Sequence, residues 1–380
     1  MDPSTVGVMF DLRNESNDAL KLLRPLSGPH SFFRRMRVLA GGQALEDIDN
    51  YNRVHEMMHT LIAPDSRVQD MAEAFGQQYR IHGNIAPLDV TNFKGIDVGD
   101  HQTCMFKPLS GLKYLPIRYC PLTLELELVD SLTTPVISVF GTGANDFKAD
   151  NTSTAWQIQN VQVKCDLCTL DNALDNSYAE HLLGGKSLPI NYSTFVTQSQ
   201  SISGQANPKL NVTRALTRLK SIFVSLEKDG GTPAVGLKPY NDFFSPASLD
   251  NGTGVFKHKS DGEFEFRIQV GSKIYPEYPI RSHAEAFYQL KKTLGVQSST
   301  LHNFDITGLE YRDHKFILGI DTEKVLEAGY TGLNTRSGDS LNIDFKYNSS
   351  VADRLADRLH IVLHSDQIME IRDTGVQVFD

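Results

Sequence analysis

The sequence predicts an all-β protein built from two similar antiparallel domains in tandem, and two observations support this. The first is a repeated order of features along the chain. A strand-like run at 37–46 leads into a helix-like stretch at 47–62, and the same pair recurs at 264–275 and 282–294. The copies are separated by roughly 200 to 230 residues, which suits whole domains and is too long for a solenoid repeat.

Two further features follow each pair in the same order. One is a short segment before a strand with alternating apolar residues, and the other is an apolar strand that reaches an aspartate. The first feature lies at 115–118, before the strand 122–128, and recurs at 333–336, before the strand 341–347. The second lies at 156–167 and recurs at 359–368. Three features in one order indicate a duplicated domain.

The second observation is period-two alternation of apolar and polar residues, which predicts strands that bury one face. The alternation is clearest at 122–128, 264–270 and 341–347. Further strands are predicted, in chain order, at 6–12, 104–109, 136–140, 190–200, 219–226, 315–320 and 375–379.

Helical periodicity is confined to four segments, at 47–62, 66–75, 171–183 and 282–294. In the last, Ser282 and Glu285 have the spacing of a capping box. Strands in two sets without β-α-β alternation favour antiparallel sandwiches. The strand count suits two tandem eight-stranded antiparallel jelly rolls with short helices in the connecting loops.

The expected join between the two domains is a polar stretch without periodicity at 201–208. It divides the chain into a first jelly roll at 1–203 and a second at 204–380.

Composition and charge exclude several classes of protein. The chain has 380 residues and a net charge of −9, and no apolar run approaches the ~18 residues of a membrane helix. Residues 1–17 lack the pattern of a secretory signal, so we expect synthesis inside the cell without a signal peptide. Lys and Arg form no long block, which argues against direct, sequence-specific binding of nucleic acid.

One catalytic motif is present. His55-Glu56-Met57-Met58-His59 matches H-E-x-x-H on a predicted helix, where the two histidines could hold zinc while Glu56 polarises a water molecule. The continuation that would supply a third ligand is missing, because Ile62 and Asp65 occupy the positions where Gly and His are needed. His55 also fits an apolar stripe of the helix. We therefore predict no zinc site and no enzyme, with a zinc metalloprotease as the less favoured alternative.

The cysteines give no stronger indication of a metal. Cys165 and Cys168 have the spacing of half a zinc knuckle, but Cys104 and Cys120 lie far apart and supply no second half. We predict no metal and no cofactor.

The order of features resembles the double jelly-roll major capsid proteins of double-stranded DNA viruses, the lineage of polinton-like viruses, virophages and large nucleocytoplasmic viruses. In that family the first jelly roll ends with a strand, an acidic Leu-Asp turn, a short helix and a return strand. The second opens with a polar lead into an apolar strand and ends with two strands around a small-residue loop. The similar segments here are 161–167, 170–171, 178–183 and 194–201, then 211–216, 219–226, 316–320, 327–332 and 341–347.

This resemblance implies a structural protein of the virion. Three chains would form a homotrimer, a capsomer of pseudo-hexameric outline that tiles an icosahedral shell. The implied partners are neighbouring capsomers together with penton and minor capsid proteins. No cofactor and no transmembrane segment are implied.

An alternative from another class is a two-domain jelly-roll carbohydrate-binding protein, because jelly rolls also build lectins. Its aromatic platform could come from Tyr240, Phe243 and Phe244 in the loop 239–256. A contact between subunits uses the same residue types. We predict that these three residues leave the second jelly roll and contact a neighbouring subunit.

Overall fold

The computed structural model describes most of the chain. The described residues are 1–61, 72, 95–139, 142–144, 146–202, 205, 207–229, 237–245, 264–295, 306–323, 332–336, 340–347 and 356–380. The helix predicted at 66–75, apart from residue 72, and the loop residues 246–256 lie outside the described residues.

The described residues of the first half include eight strands, a 3-10 helix and the α-helices α1 and α2. In order, they are β1 (Asp2–Asn14), β2 (Leu22–Leu23), a 3-10 helix (Pro29–Phe32), β3 (Phe33–Ala40), β4 (Gln43–Asp49), α1 (Tyr51–Thr60), β5 (His101–Phe106), β6 (Leu122–Leu128), β7 (Thr152–Ser153), β8 (Trp156–Asp166) and α2 (Asn172–Leu183).

The second half repeats this arrangement with additional strands at its start and end. Its elements are β9 (Leu188–Ser201), β10 (Lys209–Val212), β11 (Leu219–Glu227), β12 (Phe264–Val270), β13 (Lys273–Ile280), α3 (His283–Thr293), α4 (Gly308–Asp313), β14 (Leu318–Asp321), β15 (Leu341–Tyr347), β16 (Arg358–Arg372) and β17 (Gly375–Phe379).

Each half is a sandwich of antiparallel sheets. In the first half the strand orders are β5-β1-β8 and β4-β3-β6. In the second half the orders are β14-β11-β16 and β10-β15-β12-β13, with β9 on the other edge of β16 and β17 beside its end. The buried apolar side chains of both halves form one continuous cluster. The predicted all-β fold of two jelly-roll domains is confirmed.

The repeated strand-and-helix pair is confirmed, but each predicted strand is a hairpin. β3 and β4 are joined at Gly41 and Gly42, whose φ angles are 55° and 87°. Two successive positive φ angles suit a tight hairpin turn and favour glycine. β12 and β13 are also joined by a two-residue turn, Gly271 and Ser272, in which only Gly271 has a positive φ, of 58°. The helices after the two hairpins, α1 and α3, both form.

Other predictions are confirmed or corrected in detail. Ser282 is the N-cap of α3, and its hydroxyl accepts a hydrogen bond from the backbone N–H of Glu285 at 3.2 Å. Alternation on β12 and β15 gives two strands whose apolar side chains are buried at every second position. Of the strand predicted at 136–140, the described residues 136–139 form only an isolated bridge between Val136 and Pro25, and residue 140 lies outside the described residues. β10 and α4 were not predicted.

The boundary after residue 203 stays a prediction, and strand pairing favours an alternative position for it. β9 is hydrogen-bonded along its 14 residues to β16, from Leu188 beside Ile371 to Ser201 beside Arg358. Because β16 belongs to the second sandwich, β9 does too. This pairing favours a division before β9, at 184–187.

Chain order and sheet order match six strands of one half with six of the other. The corresponding pairs are β1 with β11, β3 with β12, β4 with β13, β5 with β14, β6 with β15 and β8 with β16. The described residues form eight strands in the first half, β1 to β8, and nine in the second half, β9 to β17. Among the described residues of the first half, only the six paired strands have counterparts in the second half, and none corresponds to β9 or β10.

Candidate subunit interface

Helix α1 lies between the two halves of the chain and is buried around most of its circumference. Its buried residues include apolar and polar side chains: Tyr51, Asn52, Arg53, Val54, Glu56, Met57 and Thr60. An amphipathic surface helix leaves its polar face in water. The burial of the polar face of α1 therefore requires contacts with a second surface.

Arg53 makes those contacts with the second half. Its guanidinium donates hydrogen bonds to the carbonyl oxygen of Leu226 at 2.8 Å, to Oγ of Ser225 at 3.2 Å and to the carbonyl oxygen of Pro239. It also lies over the ring of Phe243, 4.8 Å from its centroid. Arginine suits such a site because its planar group offers five donors and stacks on aromatic faces.

Glu227 supplies a negative charge to the same junction. Its carboxylate lies 3.9 Å from the Arg53 guanidinium and 2.5 Å from Nε2 of His360. Burial opposes ionisation of Glu227, but the hydrogen bond from His360 and the charge of Arg53 outweigh it and lower its pKa below the ordinary value. The junction thus holds a paired buried charge, which is costly to disrupt.

Strand β9 makes a second junction, against β4. The hydroxyl of Thr197 lies 3.1 Å from the backbone nitrogen and 3.0 Å from the carbonyl oxygen of Asp49. The hydroxyl of Tyr192 lies 2.8 Å from the carbonyl oxygen of Leu45. The first hairpin and its helix therefore lie in the contact between the two halves.

The corresponding face of the second half is exposed. α3 follows β13 as α1 follows β4. Counted from the first residue of each helix, Asn52, Arg53 and Glu56 of α1 correspond to Ala284, Glu285 and Tyr288 of α3, and the latter three are exposed. Tyr288 is 59% exposed, and Tyr278 on β13 is 80% exposed.

This exposed face carries aromatic and charged side chains. A shallow groove runs between β13 and α3. The residues that line the groove are Pro276, Glu277, Tyr278, Pro279, Ile280, Glu285, Tyr288 and Gln289. Tyrosines and prolines around an open groove are typical of a protein–protein contact. We call the surface formed by Tyr278 and Tyr288 the open face.

The prediction that Tyr240, Phe243 and Phe244 contact a neighbouring subunit is corrected. The side chains are 4%, 1% and 6% exposed in this chain. The backbone N–H of Phe243 donates to the carbonyl oxygen of His314 at 2.9 Å, and its carbonyl oxygen accepts from Phe316 at 2.6 Å. The segment is tied to the second jelly roll, so its rings are part of the core and offer no free surface.

The H-E-x-x-H residues serve the packing of α1. The Glu56 carboxylate accepts a hydrogen bond from the hydroxyl of Ser27 at 2.7 Å and lies 2.8 Å from Nε2 of His30. The rings of His30 and His55 are stacked with centroids 4.1 Å apart. Burial, and then the neighbouring His30 and His59, lower the pKa of His55 well below its ordinary value.

Within the part of the chain that the structure describes, no group of three or more His, Cys, Asp or Glu side chains is arranged to hold a metal ion. In that same part, no helix combines the length and apolar character needed to cross a membrane.

Glu46, on β4 beside the second junction, makes stability depend on pH. Burial raises its pKa to about 7 from 4.5, against the hydrogen bonds from Ser110 and Gly111. The folded state therefore binds more protons between these values, and stability falls as pH rises from 4.5 through about 7. We expect Glu46→Gln to remove up to about 3 kcal/mol of this loss. Thermal unfolding of both proteins at pH 5 and pH 8 measures the change in stability. An equal pH dependence of the two proteins would contradict the prediction.

Sequence comparison gives no relative, since no protein-family model and no curated protein matches. Structural comparison does. The chain is similar to the PBCV-1 virus capsid, with 10% identity, 99% of this chain and 89% of that chain covered, and a TM-score of 0.58. It is also similar to the Faustovirus major capsid protein, with 12% identity, coverage of 97% and 80%, and a TM-score of 0.57.

A third similar structure is that of the Sputnik virophage, with 10% identity, coverage of 100% and 82%, and a TM-score of 0.51. The match extends over both halves of the chain. This chain has the double jelly-roll fold. The double jelly-roll arrangement explains why one chain carries the hairpin and helix twice. The first copy of the helix, α1, is covered by the second half, and the second copy, α3, has an exposed face.

The residues that form the junction were not recognised from the sequence. Arg53 stands among other polar residues of α1, such as Asn52, His55 and Glu56, so nothing in the sequence marks it as a junction residue. Nor does the sequence mark Tyr278 and Tyr288, because exposed and buried tyrosines are alike in a sequence.

Proposed function

We propose that the protein is a major capsid protein that assembles as a homotrimer and tiles an icosahedral shell. The observation that carries the proposal is the open face of the second jelly roll. Its counterpart in the first jelly roll, α1 with β4, is covered by the second jelly roll of the same chain. Since each chain covers one such face and leaves one open, a second copy is the natural partner for the open one.

The same contact repeated between chains leads to a closed ring. Suppose that the first jelly roll of a neighbouring copy covers the open face as β11 and its neighbours cover α1. Every chain then contacts one neighbour through its open face and another through its first jelly roll. Such head-to-tail contacts form rings when the rotation closes. Three chains place six similar jelly rolls around the axis, which gives a pseudo-hexameric capsomer that can pack against its neighbours.

The names of the similar structures support this role, because two are capsids or capsid proteins of PBCV-1 and Faustovirus. The proposed partners are neighbouring capsomers, with penton and minor capsid proteins, and the proposed location is the virion. A carbohydrate-binding role is less favoured, because its candidate platform of Tyr240, Phe243 and Phe244 is buried.

We expect the purified chain to be a trimer in solution, because the open face exposes aromatic side chains that a second copy would cover. Light scattering coupled to size-exclusion chromatography measures the mass, and negative-stain images show whether the particles have a six-sided outline. A monomer across a wide range of concentrations would rule out the proposed function.

Replacing both Tyr278 and Tyr288 with serine is expected to dissociate the trimer at concentrations where the unaltered protein remains associated. Tyrosines at the centre of an interface each contribute about 2–4 kcal/mol to binding. The thermal stability of each jelly roll should change little, because both side chains are exposed in the chain. Tyr114→Ser, at a tyrosine that is 66% exposed on the first half, is the matched control. A double variant that stays trimeric would place the contact elsewhere.

A further inference from the structure

The contact between the two halves of one chain has a helix side and a strand side. On the helix side, Arg53 of α1 donates a hydrogen bond of 3.2 Å to Oγ of Ser225 and lies 3.9 Å from the carboxylate of Glu227. On the strand side, Ser225 and Glu227 are two residues apart on β11 and share one face of the sheet. Because α3 matches α1 and β1 matches β11, the chain carries a second helix side and a second strand side.

The second helix side has the opposite charge. The two helices match position by position, because Val54 and Ala286 are both buried and each is the fourth residue of its helix. The residues directly before them are Arg53 and Glu285. Glu285 is exposed, and its carboxylate accepts a hydrogen bond of 2.6 Å from the backbone N–H of Arg281. An exposed anion therefore takes the place of the buried cation.

The second strand side also has the opposite charge. Leu226 and Leu12 are both fully buried, and they lie opposite apolar residues of β16 and β8, which are matching strands. The two leucines therefore have the same place in the two sheets. The next residue is Glu227 on β11 and Arg13 on β1. The Arg13 side chain is 40% exposed, with its Nε 3.0 Å from the carboxylate of Glu15. An exposed cation thus takes the place of Glu227.

The groove of the open face suits an arginine side chain. Glu277, Tyr278, Glu285 and Tyr288 line it, and the lining residues that the structure describes include neither lysine nor arginine. A guanidinium group pairs with a carboxylate through two hydrogen bonds and stacks on aromatic rings. The groove offers both kinds of partner, so its chemistry favours an arginine from another surface.

We propose that Arg13 of a second copy lies in the groove of the open face, where its guanidinium pairs with Glu285. The pair repeats the contact of Arg53 with Glu227 with the two charges exchanged. This inference rests on the proposed homotrimer. It names the surface of the neighbouring copy that meets the open face, which is the outer face of β1.

Exchange of the charges makes the contacts selective. A contact between two first jelly rolls would place Arg53 beside Arg13, and a contact between two second jelly rolls would place Glu285 beside Glu227. Like charges at an interface disfavour both arrangements. The charges therefore favour a ring in which first and second jelly rolls alternate.

Reversal of the two charges tests the pair. Glu285→Arg and Arg13→Glu each place like charges in the contact. Each variant is expected to raise the concentration at which half of the trimer dissociates by about tenfold or more, because like charges at an interface are strongly unfavourable. The protein with both changes again has opposite charges and should associate nearly as strongly as the unaltered chain. Sedimentation equilibrium over a range of concentrations measures the association.

Arg118→Glu is the matched control, because Arg118 is 69% exposed and also forms an ion pair within its own chain, with Asp175. This variant should associate as the unaltered chain does. Loss of Glu285 also removes the hydrogen bond to the backbone of Arg281, and thermal unfolding measures that effect on α3. The change Arg13→Glu lies on the other jelly roll, so it can restore the ion pair but not this hydrogen bond.

The outcomes distinguish the ion pair from the trimer itself. If the unaltered chain is monomeric, the proposed trimer is wrong and the pair is wrong with it. If the unaltered chain is a trimer but either single variant associates as strongly, Arg13 and Glu285 are not partners. The same conclusion follows if the double variant associates no better than the weaker single variant. In these last two cases the trimer stands and its contact uses other residues.

Discussion

Replacing Arg53 with alanine is expected to lower the free energy of unfolding by about 3–5 kcal/mol, the usual cost of breaking a buried ion pair from one side. The change removes the donors for the carbonyl oxygens of Leu226 and Pro239. It also leaves the Glu227 carboxylate, which is mostly buried, with one fewer positive neighbour. Urea denaturation followed by circular dichroism measures the loss.

Arg35→Ala is the matched control for this experiment. Arg35 donates two hydrogen bonds of 2.7 Å to Asp47, but the two side chains are 34% and 41% exposed, far more than Arg53. Exposed ion pairs contribute about 0–1 kcal/mol, so this variant should remain close to the unaltered protein. If Arg53→Ala is no less stable than Arg35→Ala, the junction between the halves does not depend on Arg53.

The structure separates two contributions of Arg53, its charge and its volume. Arg53→Met keeps much of the side-chain length over Phe243 but leaves Glu227 without the nearby cation. We expect this variant to recover part of the stability lost in the alanine variant, because methionine keeps part of the packing against Phe243. An unpaired buried carboxylate can take up a proton, so the stability that Arg53→Met still lacks should decrease at low pH, where Glu227 is protonated.

Regular strands could be predicted because their signal is local. β12 and β15 alternate apolar and polar residues over seven positions each, and the structure buries the apolar set as the period-two pattern requires. The order of the repeated features was also sufficient to predict a duplicated jelly roll. By contrast, a glycine pair inside an apolar run was treated as part of one strand at 37–46, although it forms the turn of a hairpin.

Contacts between distant segments could not be predicted in this way. Arg53 binds Ser225 and Leu226, more than 170 residues later in the chain. β9 shows the same limit, because its alternation predicts a strand but not that its partner is β16. The polar stretch after β9 therefore resembled a domain boundary, although β9 is hydrogen-bonded to a strand of the second sandwich.

Replacing both Phe243 and Phe244 with serine is expected to destabilise the second jelly roll by several kcal/mol and to leave the mass of the folded protein unchanged. Truncation of one buried phenylalanine costs about 3–5 kcal/mol. Here the Phe243 ring lies beneath the Arg53 guanidinium, and its backbone is hydrogen-bonded to residues His314 and Phe316. Loss of the ring thus weakens the core and the junction between the halves together.

Phe379→Ser is the matched control for the aromatic pair, because Phe379 on β17 is 43% exposed and should cost about 1 kcal/mol or less. Thermal unfolding and light scattering below the transition measure stability and mass on the same samples. Because the rings of Phe243 and Phe244 are enclosed within one chain, the melting temperature should fall while the folded fraction keeps its oligomeric state. Weakened association with an unchanged melting temperature would instead indicate that these rings lie in a contact between subunits.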